Sequence, residues 1–139
     1  MVEHDNIIHQ PTANYVNLYG MENGLPLSED ETKSGFRKNF PFRNRDARFY
    51  HDIVFDGFHY VNAAIPEADK EFLRYCTLYT GGAMRAVANA SRTGYFIQKL
   101  VPHQANKYDG LYNWSGTLHT YLPYMRLADI FLMYAEACA

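Results

Sequence analysis

The chain has 139 residues, of which 47% are apolar and 20% charged, a composition that is typical of a folded domain and excludes a disordered tail. Its formal net charge of −2 and its scattered Lys and Arg residues give no basic surface for nucleic acid or anionic lipid. No window approaches the ~18 consecutive apolar residues of a membrane-spanning helix, and residues 1–10 lack the basic and apolar regions of a signal peptide.

The first part of the chain is predicted to contain one short helix and a small hairpin. Thr12 can cap a helix whose apolar positions extend to Tyr19, and Gly20 suits the position after its end. Asn23-Gly24 predicts a tight turn. The charged, aperiodic residues 28–35 indicate an exposed loop.

The segment F-P-F-R-N-R-D-A-R-F-Y combines turn-forming Asn44 and Asp46 with three arginines, Arg43, Arg45 and Arg48. These arginines could clamp an anion or a sugar. The alternative is a buried turn held by Arg–Asp pairs, and we favour it because paired arginines are commonly structural.

Two strands are predicted downstream of this turn. Residues 48–55 are rich in aromatic and β-branched residues and stop at Asp56-Gly57. Residues 94–101 have the composition of a strand and are halted by Pro102. Because isolated apolar strands need partners, we expect the two to lie close together.

The connection between the predicted strands is less regular. Residues 58–62 form a second short extended piece. Pro and acidic residues at 66–71 are typical of a helix start, and residues 72–80 fit either a continuation of that helix or a strand.

A helix is predicted at the end of the chain, from Tyr124 on, with Pro123 in its first turn. Its polar stripe is narrow, and the apolar arc around it is wide enough to require more than one packing partner. The pattern continues to Ala139 without a capping residue, which we interpret as a chain cut within a larger helical assembly.

No catalytic, metal or cofactor motif is evident. The six His residues form no metal-ligand spacing, and no phosphate-binding glycine motif occurs. The acidic run Glu29-Asp30-Glu31 is expected to stay solvated rather than form a glycosidase pair. Cys76 and Cys138 are interpreted as buried thiols, with a disulfide between them as the alternative.

The best candidate for ligand recognition is the loop K-Y-D-G-L-Y-N-W-S-G. Aromatic rings can stack on the apolar face of a sugar while amide and carboxylate groups bind its hydroxyls. The predicted ligand-binding residues are Tyr108, Asp109, Tyr112, Asn113 and Trp114, with Tyr60 as a weaker candidate. The alternative is that Trp114 packs under the following helix and the Tyr rings pack locally.

Four segments, in order, resemble the SusD/RagB family. They are P-T-x-x-x-V-x-L-Y followed by an Asn-Gly turn, F-x-N-R-D-A-R-F-Y, T-G-Y-F-I-Q-K, and R-L-A-D-I-F-L-M-Y-A-E-A. Ala47 stands where the family usually has Pro, and Asp129 where it usually has Glu. The matching segments extend from Pro11 to Ala137.

This resemblance implies a mainly α fold with a small antiparallel β-sheet and long loops, part of a tetratricopeptide-like SusD fold. It implies that residues 1–139 form a partial domain truncated at both ends, with a lipid anchor upstream. The expected function is non-enzymatic binding of an oligosaccharide at the outer-membrane surface, for uptake through a SusC-like TonB-dependent transporter. Peptide binding as in RagB-like proteins, a helical-repeat scaffold and a glycoside hydrolase are the alternatives.

Overall fold

The computed structural model describes residues 3–4, 7–8, 10–28, 30–86, 90–99, 101–102, 104, 106, 108–110 and 123–139. In this part of the chain helical residues outnumber strand residues, and long connections separate the elements. The predicted mainly α fold with a small antiparallel sheet is confirmed.

The described elements are short except for the last helix. The α-helices are α1 (Ala13–Asn17), α2 (Glu31–Ser34), α3 (Ala47–Asp52), α4 (Ala83–Ala86) and α5 (Leu127–Ala137). The strands are β1 (Glu3–His4), β2 (Ile7–Ile8), β3 (Ile53–Val54) and β4 (Phe96–Ile97). Strand β1 pairs with β2 and strand β3 with β4, both antiparallel.

The predicted helix cap and hairpin turn near the start are both present. The Thr12 hydroxyl accepts a hydrogen bond from the Tyr15 amide at 3.2 Å, which caps α1. The Met21 amide donates to the Leu25 carbonyl at 2.9 Å across the turn. Gly24 in this turn has a φ of +81°, a conformation that favours glycine.

The strand predicted over residues 48–55 is wrong for its first part, which forms helix α3. The Asp46 carboxylate accepts a hydrogen bond from the Arg48 amide at 2.8 Å and caps this helix. Phe49 and Ile53, four residues apart, are both buried, which is the spacing of a helix face. The Asp46 cap and the burial of Phe49 and Ile53 therefore outweigh the β propensity of these side chains.

Only two residues of each predicted strand enter the ladder, but the two stretches lie side by side as expected. Ile53 pairs with Ile97 and Val54 with Phe96. Because successive side chains of a strand point to opposite faces of the sheet, Ile53 and Val54 belong to two different core clusters. The first contains Val16, Phe49 and Ile53, and the second contains Val54, Cys76 and Leu78.

In the turn before α3 only Arg45 is buried, whereas Arg43 and Asn44 are exposed, and carbonyl groups rather than aspartate hold the Arg45 side chain. Arg45 is 3% exposed. Its guanidinium donates to the carbonyl oxygens of Val16 at 2.9 Å, Tyr19 at 2.8 Å, Pro41 at 3.0 Å and Gly20 at 3.4 Å. The Arg–Asp pair of this segment is instead at the surface, between Arg48 and Asp46.

The described residues of the connection between β3 and β4 form neither a long helix nor a long strand. Two 3₁₀ turns, Glu67–Asp69 and Glu71–Arg74, replace the helix predicted at residues 66–71. Lys70 lies between them with a φ of +63°, which interrupts helical geometry. His59 and Tyr75 then form an isolated antiparallel bridge.

The two cysteines are free thiols in different environments. Cys76 is buried as predicted, and burial raises the pKa of its thiol to about 11. Cys138 is exposed, so its predicted burial is wrong. It lies at the end of α5, where the described residues provide no packing partner.

Helix α5 begins at Leu127 rather than at Tyr124. Arg126 is extended, with φ −112° and ψ 157°, and its amide donates to the Asp129 carboxylate at 2.9 Å. This local hydrogen bond fixes the start of the helix. No residue of α5 is buried, and Leu127 and Phe131 are 65% and 63% exposed. No helix among the described residues has the length and apolarity needed to cross a membrane.

We expect Arg45→Met to lower the free energy of unfolding by roughly 3–5 kcal/mol, because four carbonyl oxygens in or near the core lose their charged donor. Arg43→Met is the matched control. Its guanidinium is exposed and contacts the Phe40 ring at 4.5 Å, so its loss should change stability by less than about 1 kcal/mol. Urea unfolding measures both, and equal losses would contradict the structural role of Arg45.

The exposed apolar face of α5 should cause concentration-dependent association. Replacing Leu127 and Phe131 together by Ser should weaken this association roughly tenfold or more, because each side chain contributes about 1.5–3 kcal/mol when buried. The control is the double replacement of Leu18 and Leu25, which are 80% and 45% exposed elsewhere. A chain that sediments as a monomer at every concentration would show that α5 does not drive association.

Candidate functional site

The predicted ligand-binding residues divide into two groups. Tyr60, Tyr108 and Asp109 lie within the described residues. Tyr112, Asn113 and Trp114 lie outside them, so the contacts predicted for these three stay predictions.

Asp109 ties the start of the aromatic loop to the backbone after Tyr60. Its carboxylate accepts hydrogen bonds from the amides of Asn62 at 3.1 Å and Ala63 at 2.6 Å, and from the Asn106 side chain at 2.7 Å. The Asn106 hydrogen bond, followed by those of the two amides, lowers the pKa of Asp109. Asp109 is thus an ionised anchor, and its direct contact with a sugar stays a prediction.

Asn106 completes this anchor from inside the loop. It is only 8% exposed, and its side-chain oxygen accepts hydrogen bonds from the amides of Tyr108 and Asp109, both at 3.0 Å. This side-chain-to-backbone turn holds the loop start in one conformation. Asn106 was not among the ligand-binding residues predicted from the sequence, although Asn is a common turn-forming residue.

Tyr108 connects the loop to a second part of the chain. Desolvation and a hydrogen bond between its hydroxyl and Asp69 raise the pKa of Tyr108. Asp69 ends the 3₁₀ turn Glu67–Asp69. The loop start therefore has two attachment points, one at Asn62 and Ala63 and one at Asp69.

Tyr60 lies beside this anchor but belongs to the second core cluster. Its ring packs against Val54, Cys76 and Leu78. It lines a cavity of about 180 Å³, together with Val54, Cys76, Met84, Phe96, Ile97, Gln98 and Val101. Burial, and to a lesser degree the charges of Cys76 and Asp109, raises the pKa of Tyr60. A ring packed in this way has less surface for a ligand than a loop side chain.

A larger pocket, of about 440 Å³, lies on the other side of the β3–β4 ladder and was not predicted. We call it the tyrosine pocket, and it is lined by Gln10, Pro11, Thr12, Tyr15, Tyr19, Asp52, Ile53, Ile97 and Lys99. Tyr15 and Tyr19 are four residues apart in the sequence. This spacing is the local sequence feature from which the pocket could have been predicted. Asp52 and Lys99 come from distant segments, and nothing in the sequence pairs them.

The polar groups of the tyrosine pocket form a continuous chain. The Tyr15 and Tyr19 hydroxyls are 3.3 Å apart, and the Tyr19 hydroxyl donates to Asp52 Oδ2 at 2.9 Å. Lys99 Nζ lies 3.5 Å from the same carboxylate oxygen. Desolvation and the hydrogen bonds to Tyr15 and Asp52 raise the pKa of Tyr19, so its hydroxyl stays protonated.

No group of three or more His, Cys, Asp or Glu side chains placed to hold a metal ion occurs among the residues that the structure describes.

Comparison with known proteins gives one family. The model of the SusD family matches residues 6–139, nearly the whole chain. Neither the curated proteins nor the solved structures gave a significant match. The family match includes both the aromatic loop and the tyrosine pocket. On this evidence the chain belongs to the SusD family.

Proposed function

We propose that this protein binds a glycan at the outer-membrane surface and passes it to a SusC-like TonB-dependent transporter. The observation that carries this proposal is the family match over residues 6–139. Proteins of the SusD family generally bind nutrients at the cell surface without catalysing a reaction, and they work with SusC-like transporters. We accordingly propose a binding protein and no enzymatic activity.

The anchored loop start supports the choice of binding site. Loops that bind ligands are most effective when a rigid scaffold positions them. Tyr108 and Asp109 attach this loop to two segments, through Asp69 and through the amides of Asn62 and Ala63. A loop start that is held in one conformation lowers the entropy cost of binding.

The residue types of the loop favour a glycan over a peptide. Tyr112 and Trp114 offer flat rings for the C–H face of a sugar, and the Asn113 side chain can both donate to and accept from sugar hydroxyls. Recognition of a peptide by its backbone would require an open strand edge or a hydrophobic groove instead. We therefore propose Tyr108, Asp109, Tyr112, Asn113 and Trp114 as the ligand-binding loop, with Tyr60 beside it.

Trp114→Ala and Tyr112→Ala should each weaken oligosaccharide binding by about 1–3 kcal/mol, by analogy with aromatic stacking on other ring ligands. The measurement is calorimetric titration with an oligosaccharide selected from a panel of neutral glucans, mannans and galactans. Tyr79→Ala is the matched control, because Tyr79 is 57% exposed and lines neither the loop start nor the tyrosine pocket.

An unchanged affinity in both loop variants, with the thermal transition preserved, would assign these rings to local packing. Binding of a peptide library but of no oligosaccharide would replace the glycan by a peptide as the ligand.

The anchor at Asp109 should be insensitive to pH across the neutral range. The pKa of Asp109 in the folded protein lies below the ordinary value of about 3.9. The stability that its hydrogen bonds contribute is therefore fully present above about pH 3.9 and is lost as the pH falls through the lowered pKa. The amide resonances of Asn62 and Ala63, followed by NMR, should therefore show an acid transition with a midpoint below about 3.9.

Asp109→Asn should abolish that acid transition and leave the rest of the spectrum in place. A midpoint above about 4 in the unaltered protein would show that the carboxylate is not held by these donors.

A further inference from the structure

The geometry points to a second carbohydrate subsite, in the tyrosine pocket, that takes one neutral hexose unit of the glycan. This inference rests on the proposed function, since it assigns an additional contact to the same ligand class. It concerns residues that are distinct from the aromatic loop.

The size and lining of the pocket suit a small ligand. Its volume of about 440 Å³ falls within the roughly 300–1,000 Å³ of small-molecule sites. Pro11, Ile53 and Ile97 contribute apolar walls. A few polar groups converge on these walls, which is the usual composition of a binding pocket.

Tyr15 supplies a stacking surface that is held in position. Its side chain is 47% exposed, and it packs edge-to-face on Tyr19 with the ring centroids 5.8 Å apart and an interplanar angle of 85°. The Thr12 cap and the fully buried Val16 fix helix α1, which carries Tyr15, and Tyr19 lies two residues beyond the end of this helix. An aromatic ring that is both exposed and fixed can stack on a sugar at low entropy cost.

Asp52 and Lys99 supply an acceptor and a donor side by side. Asp52 Oδ2 accepts from the Tyr19 hydroxyl and lies 3.5 Å from Lys99 Nζ, whereas no donor within the described residues bonds to Oδ1. The side chains are 19% and 61% exposed, so both reach solvent. Neighbouring hydroxyls of a hexose can each donate and accept, and this pair can satisfy two of them.

Backbone hydrogen bonds hold the segments that carry Asp52 and Lys99 together. The Asp52 carbonyl accepts hydrogen bonds from the Gln98 amide at 2.8 Å and the Lys99 amide at 3.2 Å. Gln98 is 3% exposed, which fixes this segment in the core. These backbone hydrogen bonds place the Asp52–Lys99 pair next to the Tyr19 hydroxyl, where a bound sugar can reach both charged groups.

The charges indicate a neutral sugar. The Asp52 carboxylate and the Lys99 ammonium compensate each other, and Asp52 Oδ1, which accepts from no donor in the described part of the chain, leaves a carboxylate oxygen in the pocket lining. A uronic acid would place a second carboxylate near this oxygen. Hexosides should therefore bind better than the corresponding hexuronide.

The test uses the full chain and the methyl glycosides of glucose, galactose, mannose and glucuronic acid, followed by saturation-transfer NMR. At least one neutral glycoside should bind, and the glucuronide should bind more weakly. Tyr15→Ala should weaken binding roughly tenfold, and Lys99→Met severalfold, whereas Tyr15→Phe should retain it because the ring remains. Tyr79→Ala and Lys38→Met, exposed residues away from the pocket, are the matched controls.

Absence of saturation transfer from all three neutral glycosides, or equal binding by Tyr15→Ala and Tyr79→Ala, would overturn the subsite. The thermal transition of each variant shows whether it is folded, and Tyr15→Phe separates a lost ring from a lost fold.

Calorimetry with the selected oligosaccharide distinguishes this inference from the proposed loop site. A loss of affinity in Trp114→Ala alone would reject the subsite and keep the loop. A loss in Tyr15→Ala alone would reject the loop and keep the subsite. Failure of every saccharide to bind would reject both.

Discussion

The arrangement of the chain depends on the guanidinium of Arg45, which gathers separate stretches of backbone around one buried charge. It donates to carbonyl oxygens at the end of α1 and in the turn before α3, where helix and turn geometry leave acceptor capacity unused. Its position 4.6 Å from the Phe49 ring centroid adds a cation–π contact. A rigid fork of donors can serve several carbonyls at once, which a lysine could not do.

The candidate binding surfaces follow from that arrangement. With α1 fixed against α3, Tyr19 can reach Asp52, and the β3–β4 ladder brings Lys99 to the same carboxylate. The tyrosine pocket is therefore a consequence of packing between three segments. The aromatic loop has a different support, because one ionised carboxylate, Asp109, binds two amides of a distant turn. Both supports depend on a carboxylate that is held by hydrogen bonds between distant segments.

Features that depend on local chemistry could be predicted from the amino-acid sequence. Thr12 caps α1 and Asn23-Gly24 makes a turn, because side-chain oxygens and a residue tolerant of positive φ act over a few positions. The family was also readable, since its motifs are contiguous and span the chain. Helix α5 was predicted from its composition, but its start at Leu127 was missed because the Asp129 hydrogen bond outweighed the favourable Pro123.

Two kinds of feature depend on packing of the whole chain: segments whose helix and strand propensities compete, and contacts between residues that are distant in sequence. Residues 48–52 have strand propensity, but burial of Phe49 on the side of Ile53 and the Asp46 cap made them helical. The exposure of Cys138 depends on what packs against α5, which no local pattern encodes. The contact between Asp52 and Lys99 joins residues far apart in sequence. The hydrophobic effect is non-directional, so it does not specify which residues come into contact. Contacts such as that between Asp52 and Lys99 are set by the packing of the whole core.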